Sequence, residues 1–402
     1  MQHDQEALER RLLIQLARLG DLVQSLPVFA SLKACDPDRP LDLLCPAPLA
    51  DIARLFPDVG RVVQWNGTQW HRWAESFIGE FQPSWLRDVE QYLAGLTTEP
   101  YRMAYVLNHH PRAILAGALL AAEVQSPSLR GPLHEELSPW AAYLRQVAQA
   151  RGSNRIHLSD TFCGMCGVLP PPVPPLLRLP SIDLSSDLAE IGLSAGQWIA
   201  VVVGAGDADR SVPQSVWIEW ISTMLAQDSP CSVVLIGSER DQTAALAIQD
   251  GLSAIIAGRV WDATGRTTLP QLATILQRCH WAVGADTGPL HLAASVGARA
   301  MGFYFSRARV HETGPYGQGH WVWQADRALP ETWPIQASVQ MIREPATPAP
   351  QEPERGWSLW QSHHDKWGAI FRPADGNDPQ EDQRAAVWHR LMEQHVSLHA
   401  GC

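Results

Sequence analysis

Short apolar runs alternate along this chain with longer stretches of helical spacing. In the first half the runs are "RLLIQLA" from Arg11, Leu41 to Cys45, Arg61 to Trp65 and Met103 to Asn108. Between the first two, Leu22, Val23, Leu26, Phe29 and Leu32 share one helical face, and helical patterns also cover Pro48 to Phe56 and Arg112 to Glu123. Strand-length runs separated by helices predict βα units and a parallel sheet. The same rhythm returns with "WIAVVVG" (Trp198 to Gly204), "SVVLIG" (Ser232 to Gly237), "WAVGA" (Trp281 to Ala285) and "RAMGFYF" (Arg299 to Phe305). Runs this apolar and β-branched suit strands covered on both faces.

Between the two series lies "LPPPVPPLLRLP", residues 169 to 180, with six prolines in twelve residues. Such a stretch continues neither a helix nor a central strand, so it reads as a stiff linker. The pattern therefore divides the chain into a Rossmann-like domain over residues 1–168, a Pro-rich linker over 169–187, and a second Rossmann-like domain over 188–342. An extension over 343–402 carries polar loops and one helical pattern, Gln383 to Leu398. The predicted class is α/β, two doubly wound parallel-sheet domains facing across a cleft. Such folds bind ligands beyond the C-terminal ends of their strands.

Composition narrows the class. At 402 residues with 46% hydrophobic and 18% charged positions, the chain has material for two cores, and wholesale disorder is excluded. A net charge of −11 argues against a nucleic-acid binder working through a broad basic face, but leaves room for a local cationic pocket. Neither an export signal nor about 18 uninterrupted apolar residues can be found, so a cytoplasmic protein is expected. The seven cysteines, an odd number, fit reduced thiols. Cys163 and Cys166 form a single CxxC on a helical pattern, which reads as two core thiols. The 17 tryptophans read mainly as packing residues, with "WNGTQWHRW" (Trp65 to Trp73) unusually dense.

The polar residues that carry chemistry stand at strand-to-helix corners. "VGADTGPLHLAA" (Val283 to Ala294) leaves a strand through Asp286, Thr287 and Gly288 and enters a helix at Pro289, which suits a first turn. Backbone N–H groups and the positive end of the helix dipole make an anion site there, with phosphate the obvious ligand. His291 sits one turn in. An ordinary capped helix is the alternative reading of the same letters. Further corners are "RLGDL", where Asp21 serves equally as a cap; the glycine-rich "VVVGAGDADRSVP" with Arg210; "LIGSERD" with Glu239; and "DATGRTTL". Four of the five fall in the second half, which marks that half as the nucleotide side. The nearest approach to a DxD metal motif, Asp207 to Asp209, lies inside the glycine-rich loop and reads as chance.

Taken in order, LGD, GSE, "TGRTTLPQLATILQRCHWAVGADTGPLHLAASVG" and "TGPYG" resemble glycosyltransferase family 9, the heptosyltransferase-like enzymes of lipopolysaccharide core assembly. The match is specific over residues 264–297 and weaker over 11–325. The resemblance implies the GT-B fold and an inverting, metal-independent transfer of a sugar, typically heptose, from an ADP-sugar, with no cofactor. It further implies an ADP-heptose-like donor, a glycan or lipid-linked acceptor, no nucleic-acid partner, and work in the cytoplasm at the inner face of the inner membrane. Carried over, Asp21 matches the proposed general base. Asp286, Thr287, Gly288 and His291 match the D-T-G-x-x-H donor motif, and Glu239 an acidic residue near the nucleoside. Arg210 falls where the family has a phosphate-binding lysine.

Departures are Gln15, Ala17 and Arg18 in the first loop, and Phe305 where a glycine is usual; the stretch 65–92 and the region 343–380 have no counterpart. A member acting on another acceptor such as a protein, a non-catalytic nucleotide-sugar binder, and a nicotinamide oxidoreductase are the alternatives. The last lacks the glycine fingerprint.

Overall fold

The computed structural model describes residues 10–72, 84–97, 99–130, 134–180, 197–226, 229–325, 328, 330–350, 354–376 and 381–396. Two compact units emerge. The first comprises Met1–Gln149, Ser159–Pro171 and Val387–Cys402; the second comprises Ala150–Leu158 and Pro172–Ala386.

In the first unit, strands β1 (Arg11–Ile14), β2 (Leu41–Pro46), β3 (Val62–Trp65), β4 (Tyr101–Val106) and β5 (Ala121–Gln125) form one sheet. Their spatial order is β3-β2-β1-β4-β5 and every neighbouring pair is parallel. Leu12, Ile14, Leu44, Val63, Ala104 and Val106 from four of the strands meet in one buried cluster, and Ala113, Ile114 and Leu120 of the helix Pro111–Leu120 cover it. The expected helix Arg112 to Glu123 is corrected here. It stops at Leu120, and Ala121–Gln125 pairs with β4. Alanines and glutamate favour a helix locally, but a half-exposed edge strand shows no apolar run to announce itself. A two-stranded antiparallel ribbon, β6 (Ser128–Arg130) and β7 (His134–Glu136), follows.

Cys163 and Cys166 are buried at the end of the helix Leu158–Met165, where burial pushes both thiols well above the ordinary range. They are protonated core groups at neutral pH. Within the Trp-rich stretch, the buried Trp65 packs on Trp70 and Tyr92, so the described part serves packing. Trp73 lies outside the described residues.

The second unit carries β8 (Gln197–Val202), β9 (Cys231–Ile236), β10 (Val260–Asp262), β11 (Trp281–Gly284), β12 (Arg299–Tyr304), β13 (Trp321–Ala325), β14 (Trp357–Asp365) and β15 (Gly368–Pro373). They stand in the order β10-β9-β8-β11-β12-β13-β14-β15, the first six parallel and the last two added antiparallel. Each sheet thus grows outward in two directions from its first strand, as two Rossmann-type domains of a GT-B protein should. Within the region 343–380, the described residues form the hairpin β14–β15, which the apolar pattern alone does not predict. Buried Arg384 secures its turn, donating to Asp365 at 2.8 Å and to the carbonyls of Trp367 and Ala369. Trp217, Trp220, Phe303, Trp333 and Trp357 pack against one another, mostly edge-on, in the core of the second unit. At roughly 150–250 Å² buried per large aromatic, these rings are the main apolar capital of the second unit.

Candidate functional site

A doubly wound sheet reverses direction between its first and fourth strands, and the loops that leave those strands diverge there to open a crevice. In the second unit these strands are β8 and β11. Arg210 follows β8 and Asp286 follows β11. Although 76 residues apart in sequence, Arg210 Nη1 donates to Asp286 Oδ2 at 3.2 Å and to its carbonyl oxygen at 3.3 Å. The other carboxylate oxygen lies 3.2 Å from His291 Nε2.

The corner after β11 is built as its letters require. Thr287 is the N-cap of the helix Gly288–Ser295, with extended backbone (φ −143°, ψ 156°), and Pro289 occupies the first turn, where its missing N–H costs nothing. No side chain caps this helix. The N-terminal dipole is therefore offered to whatever lies beyond it. Among the described residues, Thr287 Oγ1, His291 Nδ1 and Arg210 Nε are buried without a hydrogen-bond partner. A buried polar atom left this way costs about 1–3 kcal/mol, so three around one corner mark a place fitted to a polar ligand. Burial would raise the Asp286 carboxyl, but the His291 hydrogen bond and the His291 and Arg210 charges outweigh it and hold the group below its ordinary range. It is an ionised anchor. Burial and the Asp286 charge push the nearby Tyr304 phenol far up, and its OH donates to the Thr313 carbonyl at 2.7 Å. This fastens the TGPYG segment beside the corner.

Glu239 stands at the end of the next strand, exposed on the single turn Glu239–Asp241, and does not join the Arg210–Asp286 group. It borders Gly265 of the "TGR" loop, where φ is +65° and a Cβ would come within 2.9 Å of the Glu239 Cα. Only glycine fits so close an approach in that conformation. At Gly204, leaving β8, a Cβ would collide with the Asp241 carboxylate. The corners after β8, β9 and β10 therefore abut one another.

Asp207 and Asp209, which read as a chance triplet in the sequence, join the arginine cluster. Asp207 Oδ2 accepts from Arg210 Nη2 at 2.8 Å, and Asp209 accepts from Ser306 Oγ at 2.8 Å. The spacing of three between Asp207 and Arg210 in a short helical turn was the available signal. Phe305, the departure from the family glycine, is buried against Trp333.

In the first unit the reversal falls between β1 and β4, and a polar bracket crosses it. Asn108 donates to Gln15 Oε1 at 2.6 Å and accepts from the Leu16 N–H at 2.7 Å, while Arg112 donates to the Leu16 carbonyl at 2.9 Å. Gln15 Nε2 in turn donates to the Asp21 carbonyl at 3.3 Å. Asp21, half-buried in the helix Leu19–Gln24, accepts the Arg18 N–H through its carboxylate at 3.2 Å. Asp21 thus closes a capping box from position N3, with Arg18 at the N-cap.

Comparison with known proteins follows the same geometry. Residues 179–332, which hold both arms of the second-unit site, match the model of glycosyltransferase family 9 (heptosyltransferase). A Haemophilus influenzae protein provisionally named a glycosyltransferase is 23% identical over 322 residues, 74% of this chain and 82% of that one. Among solved structures, E. coli heptosyltransferase WaaC with ADP aligns at a TM-score of 0.60 and 17% identity, over 83% of this chain and 99% of the other. E. coli ADP-heptose lps heptosyltransferase II aligns at 0.57 and 19%, over 76% and 87%. At these identities the structures speak for the fold.

Proposed function

We propose that this chain, whose residues 179–332 match the glycosyltransferase family 9 model, is an inverting glycosyltransferase of that family. In this reading it moves a sugar, heptose first among candidates, from an ADP-sugar to a hydroxyl of a lipopolysaccharide-core or related glycan. The observation that carries the reading is the meeting of Arg210 with Asp286 at the sheet reversal, beside an uncapped helix N-terminus and the partnerless Thr287 hydroxyl. That set suits a diphosphate, which needs cationic and N–H donors at close range. The choice of adenine nucleotide draws on the solved relatives, one bound to ADP and one to ADP-2-deoxy-2-fluoro heptose.

The acceptor oxygen forms its bond to the anomeric carbon from the face opposite the diphosphate. The bond from that carbon to the phosphate oxygen breaks, and its electron pair leaves with the nucleoside diphosphate. Arg210 and the Gly288 helix end take up that charge, which is greater in the transition state than in the bound donor. We assign the acceptor proton to Asp21 and the nucleoside side of the pocket to Glu239. No metal enters this scheme.

The test is ADP release from an ADP-sugar, followed with and without EDTA, beside melting curves with ADP, UDP and GDP. The expected result is EDTA-resistant release and a melting shift largest for ADP. Turnover that stops in EDTA and returns with Mg²⁺ refutes the metal-free scheme. A protein that no nucleoside diphosphate stabilises refutes the donor site.

A further inference from the structure

Arg210 faces two carboxylates at once, and they are not equivalent. Asp286 is 7% exposed, and both of its oxygens are taken, by Arg210 and His291. It belongs to the floor of the site. Asp207, on the other guanidinium nitrogen, is 35% exposed. It sits in the loop between β8 and the helix Gln214–Met224, whose regular structure is one turn, Ala208–Arg210. From the loop after β12, Arg307 comes within 3.8 Å of Asp207 and 3.6 Å of Asp209. Ser306, in the left-handed region at φ 56°, turns that loop so that its hydroxyl reaches Asp209. The two arginines are thus matched by three carboxylates, Asp207, Asp209 and Asp286. With Asp286 also held by His291, a diphosphate must compete with Asp207 and Asp209 for the two guanidinium groups.

We propose that Asp207 is an internal stand-in for a donor phosphate: its carboxylate oxygen holds Arg210 Nη2 where a phosphate oxygen binds, yields that position to the diphosphate, and so sets donor affinity. The inference rests on the diphosphate site proposed above. Carboxylate and phosphate oxygens present similar acceptors to a guanidinium, so one replaces the other without moving the arginine. Asp286 keeps Arg210 aimed throughout the exchange. Asp207 is a partly exposed loop residue, so its pairing with Arg210 contributes less to stability than the buried Asp286 pair and the loop releases it more readily. The arrangement also favours ligands that carry enough charge to displace a carboxylate over weaker anions.

The experiment titrates ADP, inorganic pyrophosphate and adenosine into the full chain and its Asp207→Asn, Asp207→Glu and Asp209→Asn variants by calorimetry. Asp207→Asn is expected to bind ADP and pyrophosphate about threefold to tenfold more tightly than wild type, the range set by an exposed pair plus the charge removed. Adenosine affinity stays the same, because it carries no phosphate. Asp207→Glu restores the weaker binding, and Asp209→Asn changes affinity less, since Arg307 rather than Arg210 is its cationic neighbour. Equal or weaker pyrophosphate binding by Asp207→Asn overturns the proposal, as does an equal gain for adenosine. Wild type that binds pyrophosphate but not ADP sinks the nucleotide reading and leaves Asp207 to be judged on pyrophosphate alone. Wild type that binds neither sinks both.

Discussion

Truncating Asp286 to alanine removes the carboxylate that joins Arg210 to His291 in the second-unit site. The side chain is 7% exposed and serves two partners, Arg210 at 3.2 Å and His291 at 3.2 Å. Breaking a fully buried pair by deleting one member costs about 3–5 kcal/mol. Here Arg210 is 18% exposed and keeps Asp207, which lowers the loss to about 2–4 kcal/mol. For a unit of this size that is a fall in melting temperature of roughly 4–16 °C, at about 2–4 °C per kcal/mol.

Ligand binding should fall as well, because Arg210 is no longer held in place and His291 loses its partner. Wild type at a hundredfold excess of ADP over Kd gains about 2.7 kcal/mol. A variant bound a hundredfold more weakly gains about 0.4 kcal/mol from the same solution, so its melting shift all but disappears. Differential scanning fluorimetry of both proteins with and without ADP reads the two effects together. An Asp286→Ala protein that melts within about 1 °C of wild type and keeps its ADP shift refutes the argument. The sign is opposite to that expected for Asp207, so these two aspartates discriminate an anchoring carboxylate from a competing one.

Asp21→Asn keeps a side-chain oxygen that accepts the Arg18 N–H from position N3, so melting temperature should hold while kcat falls by roughly 10² to 10⁴ if Asp21 takes the acceptor proton. Turnover within a few-fold of wild type returns Asp21 to capping alone. The second unit should also lose stability in mild acid. Burial lowers His157 and His311 to about 3 and His320 to about 4. The unfolded chain therefore binds protons that the folded one refuses, and stability, complete above about pH 6.5, declines below it by up to about 1.4 kcal/mol per pH unit for each group. Urea midpoints that stay level from pH 6.5 to 5 contradict this.

How far the letters reveal the fold depends on where a strand sits. Central strands such as β8 and β11 are covered on both faces, so their apolar runs stand out, and the observed bounds lie within a few residues of the expected ones. Strands at or next to the outer end of a sheet do not announce themselves in this way. Ala121–Gln125 is half exposed and made of residues content in a helix, and β14 carries Ser362, His363 and His364 among its apolar positions. Both become strands because a neighbouring edge offers backbone hydrogen bonds, information that lies in β4 and β13 rather than in the segments themselves.

The site divides along a similar line. Corners are legible one at a time, because a sharp exit from a strand demands Gly, Pro or a short polar residue wherever it occurs. Partnership between corners is not, since Arg210 meets Asp286 only once β8 and β11 lie side by side. Charge is hidden for a related reason. In a chain of net charge −11 a cationic pocket leaves no trace in the total, and here each arginine at the corner already stands beside an aspartate. Asp207 and Asp209 therefore look like chance acids in a glycine-rich loop until the fold pairs them with Arg210 and Arg307. Neutralised arginines of this kind can be recognised only as unequal partnerships. One carboxylate is buried and fully bonded, the other is on a loop and about a third exposed, and that inequality separates a residue that builds the site from one that competes for it.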